Sequence, residues 1–245
     1  MKKIFIIIIP GLFIITCSNA QSNKFDHKIF DNLLKEYVNE SGIVNYEAFK
    51  NNNEFTTYIS AIESADISDL TDEEKLAFYI NAYNATVIKN VITHLPINSP
   101  MDVDGFFNKI KHTIAGKEIT LDELEHKYAL KIEPVLSHFG LVCAAITCPK
   151  LISTAYESKT VLNQLEENGR IYLNDSNKNR LDRENKILYL SEIFKWFKDS
   201  FVKKYGSLKE TAIYFMNDDD RIFLMNNEVS VKYLKYNWKL NTQAN

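Results

Sequence analysis

Glycine and proline are scarce in this chain of 245 residues, with seven and five copies. That scarcity, together with 15 Phe and 13 Tyr, excludes a linker or a disordered tail and describes a packed globular chain. An excess of positive charge is missing as well. Lys and Arg number 29 against 32 Asp and Glu, with no basic run, so nucleic-acid binding has no electrostatic footprint. Cysteine is rare: Cys17, Cys143 and Cys148 are the full set. The pair left beyond Cys17 is too few for a disulfide framework, leaving one disulfide or two separate thiols. There is no Cys-x2-Cys or His-x3-His pair and no zinc-protease helix motif, so neither a metal nor a cofactor is expected. Beyond the first residues no segment is apolar enough to span a bilayer, and no internal repeat is visible.

The first twenty residues have the parts of an export signal. Lys2 and Lys3 precede an almost wholly apolar run from Ile4 to Ile15, and Ser18-Asn19-Ala20 offers a small-x-small site. The run is short of the roughly 20 residues a spanning helix needs. Residues 1–20 are therefore expected to be a signal peptide, with Gln21 opening the mature chain. A lipid anchor at Cys17 is the alternative, although Thr16 is a poor match for the residue before a lipidated cysteine. Either route implies a periplasmic or secreted protein, or a membrane-anchored lipoprotein. Without Lys2 and Lys3 the balance is 27 basic to 32 acidic side chains, a net −5. Residues 21–245 are long enough for one substantial core and are expected to form a single domain.

Hydrophobic periodicity predicts helices over Phe25–Glu40 and Tyr46–Ser64, with a short extended segment at Gly42–Tyr46 between them. Thr71-Asp72-Glu73-Glu74 is a capping box that opens the strongest helix, Asp72–His94. Apolar residues on more than one of its faces place that helix centrally, and Pro96 follows its end. His112–Ile119 reads as a hairpin turning at Ala115-Gly116-Lys117. Thr120-Leu121-Asp122-Glu123 is a second capping box, for a helix to Leu130. Leu136–Ala145 reads as a buried strand ending in a Cys148-Pro149 loop. Helices over Ser158–Leu173, Ser191–Tyr205 and Ser207–Met216 and strands over Arg180–Leu190 and Val229–Leu234 complete the set. The expected class is α+β, mostly helical and packed on a small, mainly antiparallel sheet.

Several of these segments resemble the domain of unknown function 547 (DUF547) family. They are Lys75–Ala85 (KLAFYINAYNA), Leu121–His126 (LDELEH), His138–Ala145 (HFGLVCAA) and Thr147–Leu151 (TCPKL). The tail segments Ser191–Phe197 (SEIFKWF) and Tyr236–Asn241 (YNWKLN) extend the likeness over nearly the whole mature chain. Tyr79 stands where the family usually has tryptophan, and Thr147 where it usually has serine. The resemblance implies the choice and order of segments and leaves the chemistry open.

The residues that can carry chemistry are Cys148, His126, His138 and Glu125. A strand over Leu136–Ala145 would turn Cys143 to the face opposite His138, as a small buried hydrophobe. Cys148, past the strand end and before Pro149, would have a defined direction. A thiolate nucleophile needs a depressed pKa, and His126 or His138 are candidate bases with Glu125 or Asn81 as orienting group. The expected activity is that of a thiol-dependent hydrolase or acyltransferase with Cys148 as nucleophile. A non-enzymatic envelope domain binding a small-molecule or peptide ligand is the alternative. Asn81 and Asn84 share one face of the central helix, either tying it to neighbouring backbone or binding substrate. Trp196, Phe194, Phe197 and Phe201 form an aromatic stripe, and Asp218-Asp219-Asp220 a solvated acidic turn without calcium-loop spacing.

Overall fold

The computed structural model describes residues 25–243, so the expected signal segment at 1–20 lies outside the described residues. In chain order α1 is Lys28–Tyr37, α2 Tyr46–Lys50, α3 Asn53–Ser64 and α4 Asp72–His94. The hairpin strands are β1, Lys111–Ile114, and β2, Lys117–Thr120. Helix α5, Leu121–Glu123, continues through a π-helical turn, Leu124–Ala129, into α6, Leu130–Ile132. Then come α7, Val161–Leu173, β3, Arg180–Asp182, and β4, Ile187–Ser191. Helices α8, Ile193–Trp196, α9, Lys198–Tyr205, α10, Leu208–Phe215, and α11, Asp218–Asn226, precede β5, Ser230–Leu234. The class is α+β, about half helical.

Helix α4 begins where its chemistry dictates. Thr71 accepts from the Glu74 N–H while Glu74 reaches back to the Thr71 N–H, which satisfies two otherwise orphaned donors. From Leu76 to Ile88 every residue is buried. The helix packs on α2, α3, α7 and the π-helical turn. Phe78, fully enclosed, sets its ring edge-on to Phe25 at 4.9 Å. Thr120 repeats the capping box at the start of α5, and β1 and β2 pair antiparallel from Lys111↔Thr120 to Ile114↔Lys117. The expected Tyr46–Ser64 helix is two helices: α2 ends with Asn51 as its C-cap, and Asn52 caps α3 by accepting from the Phe55 N–H.

Two of the three strand pairings among the described residues are antiparallel, as expected, and the detail is finer than one sheet. There are two small sheets, and in the second β4 pairs antiparallel with β3 but parallel with β5. The parallel partner arrives only after four helices, α8 to α11, a crossover that local patterning does not announce. Asp218–Asp220 is no acidic turn. It is the first turn of α11, capped by Asn217, where carboxylates meet the positive helix end.

The largest correction is Leu136–Ala145, which is not a strand. Leu136–Phe139 is a 3-10 turn, and only Ala145 makes a β-bridge, to Leu240. A buried strand needs a neighbour to satisfy its backbone, and here side-chain amides do that instead. Asn84 donates to the Gly140 carbonyl at 2.9 Å and accepts the Val142 N–H at 2.9 Å. Asn168 on α7 donates to the Phe139 carbonyl at 2.5 Å and the Lys150 carbonyl at 3.0 Å. Gly140 permits the close approach, since a Cβ there would collide with the Leu165 side chain.

Candidate functional site

The irregular passage after Gly140 builds the floor of a cleft. Ala144 adopts φ +60°, and the Cys148 N–H bonds the Ala145 carbonyl at 3.0 Å, so the chain curls back on itself. The tail from Tyr236 to Asn241 fastens this curl: Ile146 N–H donates to Lys239 O and Asn241 N–H to Ala144 O, both at 2.9 Å. Thr147 Oγ1 accepts the Asn237 N–H at 3.0 Å, a bond that a serine hydroxyl can equally accept. The curl aims the Cys148 sulfur at the Cys143 N–H, which donates to it at 3.0 Å. Both thiols are free.

Cys143 therefore faces the same cleft as His138, contrary to the strand argument. Its sulfur lies 3.1 Å from the Tyr236 hydroxyl. Cys148 is buried rather than loop-exposed, at 3%. Burial pushes its thiol pKa up, but hydrogen bonds from the Cys143 thiol, the Tyr236 hydroxyl and the Cys143 N–H, with the charge of Lys178, leave it below the ordinary value. Lys178 is fixed beside it, donating to the Cys148 carbonyl at 2.9 Å. Cys143 moves the opposite way, pushed well up by burial and by its bond to Cys148. Cys148 is the favoured thiolate of the pair.

The cleft has a volume of about 240 Å³, and Cys148, Glu125, His126 and His138 all line it. Their individual situations differ. Glu125 projects from the π-helical turn, and burial, then the negative charge of Cys148 and Asp122, pushes its carboxyl up to about 7 against a weaker opposing bond from Tyr83. His138 is stacked on Phe197 with ring centroids 3.8 Å apart, and its Nδ1 is 4.0 Å from Glu125 Oε1. Burial and then the neighbouring His126 push His138 down to about 3, with a bond to the Pro134 carbonyl pulling the other way. Its Nε2 is buried without a hydrogen-bond partner. His126 stands at the rim with its side chain 46% exposed, Nε2 3.5 Å from Asp122 Oδ1. Neither imidazole is hydrogen-bonded to Cys148.

Asn81 and Asn84 do not line this cleft. Asn81 donates to the Tyr156 carbonyl at 2.8 Å and accepts the Tyr156 N–H at 3.0 Å, and Asn84 holds Gly140 and Val142 in the same manner. The substrate-binding alternative for these two amides gives way to the backbone-tying one, because a buried amide is held where both its ends are satisfied. The aromatic stripe divides. Phe194 and Phe201 are fully buried, whereas Phe197 and Trp196 line the cleft. Tyr83, Tyr236 and Trp238 also line it. Sequence reasoning passed over them because nothing local marks a tail 90 residues downstream as the wall of a cysteine site. Among the described residues no group of three or more His, Cys, Asp or Glu is arranged to hold a metal ion.

Residues 67–173 match the family model described as Protein of unknown function, DUF547. The resemblance to DUF547 holds over that segment. The DUF547 segment contains α4, the hairpin, Glu125, His126, His138, both free cysteines and α7. The Trp196, Tyr236 and Trp238 wall lies beyond the matched residues, in the tail segments Ser191–Phe197 and Tyr236–Asn241. No curated protein and no solved structure matches the chain.

Proposed function

We propose that this is an exported thiol-dependent hydrolase or acyltransferase acting on an amide or ester, with Cys148 as nucleophile. The observation that carries the reading is the Cys143 N–H donated to the Cys148 sulfur at 3.0 Å on the floor of an open cleft. A main-chain donor and a nearby lysine favour the thiolate, which is the attacking species. Glu125 replaces the histidines as the preferred proton carrier. A carboxyl near 7 is partly protonated and partly ionised at neutral pH, which suits general acid–base work. His138, held near 3, stays neutral and serves as packing and positioning for Phe197 and Glu125.

In the proposed cycle the Cys148 thiolate attacks the substrate carbonyl carbon and forms a tetrahedral oxyanion. Its collapse breaks the bond to the amine or alcohol, which takes its proton from Glu125 and leaves a thioester on Cys148. Water, or an acceptor amine or alcohol, then attacks the thioester as the Glu125 carboxylate removes its proton. The thiolate departs and the proton balance is restored. Export is supported by the basic start, apolar run and small-x-small site of residues 1–20. Among the described residues no helix is long and apolar enough to cross a membrane.

The test is trapping. Brief exposure to a p-nitrophenyl ester followed by acid quench should leave one acyl group on Cys148 by peptide mass, with none in Cys148→Ser. Glu125→Gln should acylate but turn over slowly. Acylation elsewhere, or none, would move the assignment to a non-enzymatic ligand-binding envelope domain, a reading favoured by the absence of an imidazole bonded to Cys148.

A further inference from the structure

The outer half of the cleft is built differently from its floor. Trp196, Tyr236 and Trp238 pack into one aromatic surface, with ring centroids 4.9 Å apart for Trp196–Tyr236 and 4.7 Å for Tyr236–Trp238. The two indoles are nearly parallel, 20° between planes and 6.1 Å between centroids. Trp196 is 47% exposed, an unusual state for so large an apolar ring. The carboxylates that share the cleft lining with this surface, Asp122 and Glu125, have no lysine or arginine among their lining neighbours. Asp122 is open to solvent, its carboxylate met only by His126 at 3.5 Å.

Indole and phenol faces carry negative potential and attract cations, the more so when a carboxylate stands beside them. An anionic ligand would be repelled by both features. A neutral apolar ligand would gain ring contact but would strip water from Asp122 without compensation. We propose that this outer subsite binds an ammonium group, primary or quaternary, over the near-parallel indoles of Trp196 and Trp238, which the buried Tyr236 ring backs, and against the Asp122 carboxylate. As a statement of substrate class it rests on the thiol-enzyme reading. It places a positively charged substituent at the mouth of the cleft, with the acyl group reaching toward Cys148 below.

The chain offers its own reporter, since Trp196 and Trp238 are its two tryptophans. Tryptophan emission of the intact protein would be titrated at pH 8 and constant ionic strength with choline, butylammonium and 3,3-dimethylbutan-1-ol, the neutral isostere of choline. The assignment expects saturable emission changes, with at least one cation binding about tenfold tighter than the neutral alcohol. Asp122→Asn and Trp196→Ala, both at exposed positions, should each weaken that cation several-fold. A stronger response to choline marks a quaternary ligand, and to butylammonium a primary amine such as a lysine side chain. Equal binding of cation and isostere, or no loss in Asp122→Asn, overturns the assignment. Neither outcome touches the acylation of Cys148, which is read separately, and an inert Cys148 leaves the titration intact.

Discussion

Asn84, in the middle of α4, grips two backbone groups of the loop that carries the cysteines: the Gly140 carbonyl and the Val142 N–H, each at 2.9 Å. One buried amide thereby replaces the neighbour strand this segment lacks. Asn84→Ala leaves both groups unsatisfied and opens a void, and should destabilise the fold by roughly 2–5 kcal/mol. Urea unfolding of the two proteins checks this. A change under about 0.5 kcal/mol would show that water or another group satisfies the loop.

The histidines set a pH dependence. Burial lowers His27 and His112 to about 4 and His138 to about 3. A depressed histidine is protonated more readily when unfolded, so its contribution is present above about 6.5 and is lost as pH falls toward the folded value. Glu125, raised to about 7, opposes this between about 4.5 and 7, where the folded state holds the extra proton. Three groups against one leave the unfolded state richer in protons. Stability should therefore rise from pH 4.5 to 6.5, and His138→Phe should flatten the slope. Stability that falls over this window would contradict these environments.

How much of this was legible in the sequence depended on the range of the interaction. Thr71 and Thr120 with glutamates three residues on, and Ala115-Gly116 between alternating residues, are local signals, and their elements fall where the residues predict. Leu136–Ala145 failed because its backbone partners, Asn84 and Asn168, sit some 56 and 29 residues away and are side chains. With the strand went the deduction that Cys143 turns from His138. Asp218–Asp220 was recoverable, since Asn217 before three acids is itself a helix-start signal. Cys148, His126, His138 and Glu125 were recognisable as reactive types. That Glu125 would be the half-buried, raised group and His126 the exposed one followed from the orientation of the π-helical turn.

Export carries its own expectation. The mature chain should begin at Gln21, or at a lipidated Cys17, and intact-mass measurement of the exported protein distinguishes the two. A cytoplasmic product retaining Met1 would contradict the localisation.

The central claim is that Cys148 is a thiolate poised by the Cys143 N–H, and its alkylation by iodoacetamide across pH tests this most directly. With sites resolved by peptide mass, labelling of Cys148 in the folded protein should reach half-maximal rate below the ordinary thiol value of about 8.5. Cys143, held protonated, should lag well behind it, and Cys148→Ser should lose the fast phase. A Cys148 midpoint at or above about 8.5, or a fast phase that maps to Cys143, would contradict the account.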